Sequence, residues 1–241
     1  MWDNARLLNQ IANLLIMGSV LGVLAVTGVR IARLPQFAIT EVQVKGPLDH
    51  VTAQQLEAVA RQAVQGTFFT LDIASTRGEF ENLPWVRKVE VRRRWPGRLE
   101  LEVQEHVALA RWGDSALVNT HGEVFEAATD ETLPVFIGPN GQADEMAHKY
   151  RRFAAQLAPI ERSVARLRLS PRGAWQIRLD DGLTLELGRT DMDARLERFV
   201  LVYERTIGRM PPNVAQVDLR YANGFAVRMP ETRGRDTKTK G

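Results

Sequence analysis

From Ile11 to Val29 the chain runs for 19 residues without a charge. At about 1.5 Å rise per residue, a helix of that length matches the roughly 30 Å hydrocarbon core of a bilayer. A buried core helix would carry an amphipathic stripe or a shorter apolar run. Asn13, Gly18, Ser19, Gly22 and Gly28 are tolerable here, because the backbone polar groups of a helix are paired along its axis. A cleavable signal peptide is the rival reading. Its apolar region would span about 7 to 15 residues, and here Arg30 and Arg33 follow with no A-x-A site. The expectation is a short segment over 1–10 and a retained single-pass anchor over 11–31. Arg6, offset by Asp3, faces Arg30 and Arg33 across the span, so charge counting does not orient it.

Roughly 200 residues follow the anchor, enough for two small domains with real cores. Leaving out the first 34 residues removes Asp3, Arg6, Arg30 and Arg33 and lowers the formal charge from +3 to +1. That balance gives no case for nucleic acid as a partner. The absence of cysteine excludes disulfides and thiolate metal sites and is compatible with either redox compartment.

Alternation from Phe37 to Lys45, closed by Gly46-Pro47, predicts a strand. Thr52 and Gln55 spell a capping box, with Val51 and Leu56 placed as a hydrophobic staple. Asp72 is positioned to cap a second helix that stops at Pro84. Strands are expected over 86–94 and 98–111 around the turn Trp95-Pro96-Gly97, with Leu99, Leu101, Val103, Val107 and Leu109 on one face. The order β-α-α-β-β is a compact unit over 37–105. From 106 to 229 short apolar runs recur, Asp181-Gly182 and Asn223-Gly224 mark hairpins, and two helices interrupt, giving a sheet with packed helices. The fold class is α+β. The polar tail over 230–241 lacks apolar spacing and reads as disordered.

No chemistry stands out. His50, His106, His121 and His148 are scattered without paired ligand spacing, so no metal site is expected, and no cofactor motif appears. Asp180-Asp181 precedes Gly182 and reads as hairpin chemistry rather than a catalytic dyad. No catalytic residue is assigned. Arg92-Arg93-Arg94 alternates along a strand and reads as a solvated strand end. Trp95, Trp112 and Trp175 read as core. The last apolar run, Phe225 to Met229, has no later strand to cover it. An open edge accepts another chain by strand addition. The residues leave open whether it is open or interior.

The short anchor, Phe37 to Gly46, Gly66-Thr67-Phe68-Phe69-Thr70-Leu71-Asp72, Leu83-Pro84-Trp85-Val86, Arg94-Trp95-Pro96 and Glu105-His106-Val107-Ala108-Leu109-Ala110-Arg111-Trp112 occur in an order that resembles the FtsQ/DivIB family of bacterial cell-division proteins. Leu187-Gly188-Arg189, Arg195-Leu196-Glu197-Arg198-Phe199 and Val217-Asp218-Leu219-Arg220-Tyr221 continue the match across nearly the whole chain. The resemblance implies an inner-membrane helix of type II topology, with a cytoplasmic N terminus. A POTRA domain and a C-terminal β domain would then lie in the periplasm, at the division septum. It also implies a non-enzymatic scaffold that binds FtsB, and through it FtsL, as an FtsQBL complex. Further links to septal peptidoglycan synthesis and other division proteins would run through POTRA. In the family a partner strand adds to the end of the β domain, which falls here on Tyr221, Ala222, Asn223, Gly224, Phe225, Ala226, Val227 and Arg228. The family's other partner-binding arginine falls on Arg172. Ala222-Asn223 replaces a familiar acidic-Ser pair, and Met229 stands where an aromatic residue can occur.

Two other functional classes make different demands on the sequence. A POTRA-bearing translocation or outer-membrane assembly component would need tandem POTRA units or a following β-barrel, and the sequence offers neither. A membrane-anchored cell-wall hydrolase or transferase would need a nucleophile or an acid/base pair, for which no motif is present.

Overall fold

A computed structural model describes residues 5–210, 214–221 and 224–229 of the chain. The expected tail, residues 230–241, and the hairpin residues Ala222 and Asn223 lie outside them. The chain divides into two compact units, Met1–Glu105 and His106–Gly241.

The first unit begins with helix α1 (Ala5–Ala32), whose stretch Asn9–Ala32 is long and apolar enough to cross a membrane. That stretch is exposed from Asn9 to Ile31, and Ala32 at its end is half-buried. Ser19 Oγ donates to the Leu15 carbonyl at 2.9 Å, which satisfies the span's one hydroxyl before Thr27 without a partner helix. After a 3-10 turn at Pro35–Phe37 comes β1 (Glu41–Lys45), shorter than the strand expected from Phe37. The cause is local: Phe37 C=O accepts the Phe68 N–H at 2.7 Å, so this segment pairs with residues 67–68 instead of extending β1.

Helix α2 (Ala53–Ala63) opens with the expected capping box, Gln55 N–H donating to Thr52 Oγ1 and Thr52 N–H to Gln55 Oε1. Asp72 caps α3 (Ile73–Glu81) by accepting from Ala74 and Ser75. Strands β2 (Val86–Arg94) and β3 (Arg98–Glu105) form an antiparallel hairpin, and β1 pairs parallel with β3, giving the order β1-β3-β2. A parallel pair needs a crossover, which α2 and α3 help supply. Leu56, Phe80, Val89, Leu99, Leu101 and Val103 are central to the core. The basic run is dispersed as its alternation implies: Arg92 pairs with Glu90, Arg94 with Glu100, and Arg93 donates to the Leu71 carbonyl.

Two expectations fail here. The single strand over 98–111 is two strands in different sheets, broken at His106-Val107; Val107, assigned to the buried face, is 62 % exposed. Trp95, assigned to the core, sits at the β2–β3 turn and is 64 % exposed. A turn at a sheet end has no opposing layer to bury it.

Among the described residues, the second unit is built on a nine-stranded sheet. Its strands are β4 (Ala108–Trp112), β5 (Ala116–Asn119), β6 (Val124–Phe125), β7 (Val135–Ile137), β8 (Val164–Leu169), β9 (Trp175–Leu179), β10 (Thr184–Gly188), β11 (Gln216–Asp218) and β12 (Ala226–Arg228). The spatial order is β12-β11-β10-β9-β8-β7-β4-β5-β6. Two of the parallel pairs, β7 with β8 and β10 with β11, are bridged in sequence by α4 (Ala143–Leu157) and α5 (Met192–Tyr203). Phe153, Leu157, Leu196 and Phe199 from these helices join Leu167, Trp175, Ile177, Leu185 and Val217 from the strands in one core. Trp175 is buried there, edge-on to Phe153, whereas Trp112 is half-buried. Asp181-Gly182 forms the β9–β10 turn, with Gly182 at φ 91°.

Candidate interaction site at the terminal strand

β12 closes one end of the nine-stranded order and, among the described residues, has a neighbour on one side only. It runs antiparallel to β11 with Gln216 opposite Arg228, Val217 opposite Val227 and Asp218 opposite Ala226. Period-2 alternation sorts its side chains. Val227 and the preceding Phe225 are half-buried against the core, Phe225 lying edge-on to Phe199 at 6.5 Å between centroids. Ala226 and Arg228 are exposed. The strand is thus fixed from below by apolar packing and from one side by β11, while its other side presents backbone groups that a further strand could pair.

The chain entering β12 is held at its start. Arg220 donates from Nη2 to Asp218 Oδ2 at 2.6 Å and from Nε to Oδ1 at 2.8 Å, and its own N–H adds a bond to Oδ1 at 3.0 Å. The Arg220 hydrogen bond holds the Asp218 carboxyl below its ordinary 3.8, outweighing burial, and the same pair raises Arg220. Tyr221, the next residue, is 58 % exposed, and Gly224 is exposed too. Glu186 of β10 accepts from Gln176 and Gln216, tying β9, β10 and β11 together on the open face.

Arg172 lies in the tight β8–β9 turn, where Ala174 N–H donates to Ser170 Oγ and Gly173 adopts φ 77°. Trp175 is opposite Gly188, and Glu186 is opposite Asp218, which in turn faces Ala226. Arg172 and Tyr221 therefore occupy the same end of the sheet, with β10 and β11 between β9 and β12, a separation of about 15 Å at the usual strand spacing. Between them stand Arg189 and Arg195, the latter donating to the Leu187 carbonyl at 2.6 Å. That end of the sheet is basic. Of its arginines, Arg220 has a carboxylate partner and Arg172 and Arg189 have none among the described residues.

The other candidates resolve into structural roles. Asp180 accepts from Ser163 N–H and Oγ, and Asp181 accepts from Leu183 N–H and pairs with Arg162. His50 stacks on Trp85, His106 stacks on Phe125 and contacts Asn119, and no group of three potential metal ligands occurs among the described residues.

Residues 37–106 match the family POTRA domain, FtsQ-type, and residues 110–220 match Cell division protein FtsQ/DivIB, C-terminal. A relative from Nitrosospira multiformis, described as Cell division protein FtsQ, is 42 % identical over 233 residues, covering 95 % of this chain and 99 % of its own. Proteins of the same description from Burkholderia pseudomallei and Neisseria gonorrhoeae are 38 % and 34 % identical, each over 95 % of this chain and 94 % and 95 % of theirs. The chain belongs to the FtsQ/DivIB family.

An FtsQ-family chain with one long apolar helix fits a single-pass membrane protein of cell division. Its architecture of apolar helix, POTRA domain and β-rich C-terminal domain is the α+β arrangement expected from the sequence. The structure brings Tyr221, Gly224, Phe225, Ala226, Val227 and Arg228 together along one edge and puts Arg172 at the same sheet end; Ala222 and Asn223 lie outside the described residues. Sequence reasoning missed the contribution of Arg189, Arg195 and Arg220 to that end. Their positions in Leu187-Gly188-Arg189, Arg195-Leu196-Glu197-Arg198-Phe199 and Asp218-Leu219-Arg220 were the available signal.

Proposed function

We propose that this FtsQ-family protein is a non-enzymatic scaffold of the divisome whose C-terminal β domain binds FtsB, and through it FtsL, by strand addition to β12. In this reading the N terminus is cytoplasmic, α1 (11–31 as membrane span) crosses the inner membrane, and POTRA (37–105) and the β domain (106–229) act in the periplasm at the septum. The scaffold thereby links division-site assembly to septal peptidoglycan synthesis, with POTRA serving other division proteins. Tyr221 through Arg228 form the partner edge, and Arg172 supplies charge at its flank.

The observation that carries this reading is the position of β12 as a terminal strand with one neighbour among the described residues, anchored beneath by Val227 and Phe225. Main-chain pairing there gives affinity, and the flanking arginines favour an acidic partner segment. The helix tethers the β domain to the membrane, which raises the effective concentration of a second membrane-tethered chain. The test is co-purification from dividing cells of the full-length chain and of a chain ending at Asn223. FtsB and FtsL should accompany the first and be lost from the second; equal recovery would exclude the terminal strand as their binding element.

A further inference from the structure

Thr67 Oγ1 donates to the carbonyl of Ala32, the last residue of α1, at 2.6 Å. The two residues that follow it in the chain, Phe68 and Phe69, are therefore pinned beside the exit of the apolar helix. Phe37 reaches the same place from the other direction, five residues after Ala32, and its carbonyl holds the Phe68 N–H. The β2–β3 turn adds Trp95, tied in by Thr40 N–H donating to the Gly97 carbonyl at 2.8 Å. The four rings touch: Phe37 and Phe69 at 5.1 Å, Phe68 and Phe69 at 5.4 Å, and Phe68 and Trp95 at 5.5 Å between centroids.

This cluster is built but not buried. Trp95 is 64 %, Phe69 51 % and neighbouring Leu34 41 % exposed. Exposed contiguous aromatic surface marks something that covers it. The occupant follows from position. A helical span of 24 residues is about 36 Å long, slightly more than the hydrocarbon core, which puts Ala32 at its boundary. At most about 3.5 Å of chain per residue separates Ala32 from Phe37. Trp is enriched at headgroup level, and Trp, Phe and Leu beside basic residues, here Arg30 and Arg33, mark segments that lie in the interface.

We propose that Phe37, Phe68, Phe69 and Trp95 form a membrane-docking foot, seated in the headgroup–acyl boundary of the bilayer that α1 crosses, which fixes the tilt of the POTRA domain. The proposal rests on α1 spanning the bilayer. The foot marks one end of the three-stranded sheet, where Arg94 and Arg98 are opposed, and leaves the end at Glu105 and Asp49 farthest from lipid.

The chain has no cysteine, so a single introduced one is a unique spin-label site. Full-length protein in nanodiscs of phosphatidylethanolamine and phosphatidylglycerol would carry the label in turn as Val20→Cys, Phe69→Cys and Asp49→Cys, with accessibility to oxygen and to a polar nickel chelate read for each. Position 20 should report hydrocarbon, position 69 a depth within about 5–10 Å of the headgroup–acyl boundary, and position 49 water. Adding Trp95→Ser should move position 69 toward water. A water-like value at 69 with hydrocarbon at 20 overturns the foot and leaves the span standing. A water-like value at 20 overturns both. Shielding of 69 from both reagents means that protein covers the cluster, as in a second copy, and equally overturns the proposal.

Discussion

The Glu105 carboxylate accepts the Val51 N–H at 2.9 Å, joining the end of β3 to the residue that staples the start of α2. The same carboxylate takes the N–H groups of Asp49 and His50 and contacts the His50 ring at 3.1 Å. Burial pushes the Glu105 carboxyl up, but the bonds from Val51, His50 and Asp49 outweigh it and hold it below its ordinary 4.5. A carboxyl depressed in the folded state contributes stability that is present above its ordinary value and is lost as pH falls through its folded value. POTRA stability should therefore be flat with respect to Glu105 from neutral pH to about 5 and fall in stronger acid. Glu105→Ala removes the acceptor at every pH and should cost about 2–3 kcal/mol, since several donors lose a charged partner. Urea unfolding followed by fluorescence checks both statements, because Trp85 stacks on His50 at 3.7 Å and reports locally.

Strand addition makes a periodic prediction for residues 225–228. Successive backbone N–H groups of a strand point to opposite sides, so proline at alternate positions removes either an outward donor or a bond to β11. One alternate pair of proline variants should lose partner binding while keeping the melting temperature. The other pair should lower the melting temperature first. Phe225→Pro carries the added loss of its contact with Phe199. A scan without period 2, with all four variants binding alike, would contradict a paired strand.

Arg172 is exposed on a turn. Arg172→Glu should change stability by less than about 0.5 kcal/mol, as surface substitutions usually do. It should slow association with an acidic partner and reduce the salt dependence of that rate, because flanking charges act mainly on encounter. Stopped-flow association measured at two ionic strengths distinguishes this from a folding defect.

What the sequence disclosed was whatever local chemistry decides. Thr52-Gln55, Asp72 and the Trp95–Gly97 turn each fix a boundary within a few residues, and each is where the periodicity put it. The break at His106-Val107 was hidden because Val107 and Leu109 continue the alternation of Leu99 to Val103; which sheet a strand joins is a tertiary choice. Glu100 shows the same limit. Alternation with Leu99 and Leu101 puts it on the opposite, polar face of β3, yet it is only 9 % exposed because Lys45 and Arg94 close over it at 3.1 Å each. At the site, a terminal apolar run announced a last strand but not its place. The order β10-β11-β12 depends on α5 carrying the chain across to a parallel β11, and only that crossover leaves β12 outermost.

Gly188 tests how far the basic end of the sheet depends on close packing. It ends β10 at φ 80°, a conformation that side chains other than glycine rarely adopt. A Cβ added there would meet Arg195 Nη1 at 2.8 Å and Arg220 Cγ at 3.1 Å. Gly188→Ala therefore imposes about 1–2 kcal/mol of backbone strain and pushes on two arginine side chains at once. Arg195 would lose its bond to the Leu187 carbonyl, and Arg220 its alignment on Asp218, ahead of Tyr221. Arg220→Ala removes an ion pair whose guanidinium is solvent-exposed and should change stability little. If the clamp positions the terminal strand, both variants weaken partner binding, but only Gly188→Ala lowers the denaturation midpoint appreciably. Weakened binding in Gly188→Ala with wild-type binding in Arg220→Ala would instead trace the effect to the β10 backbone.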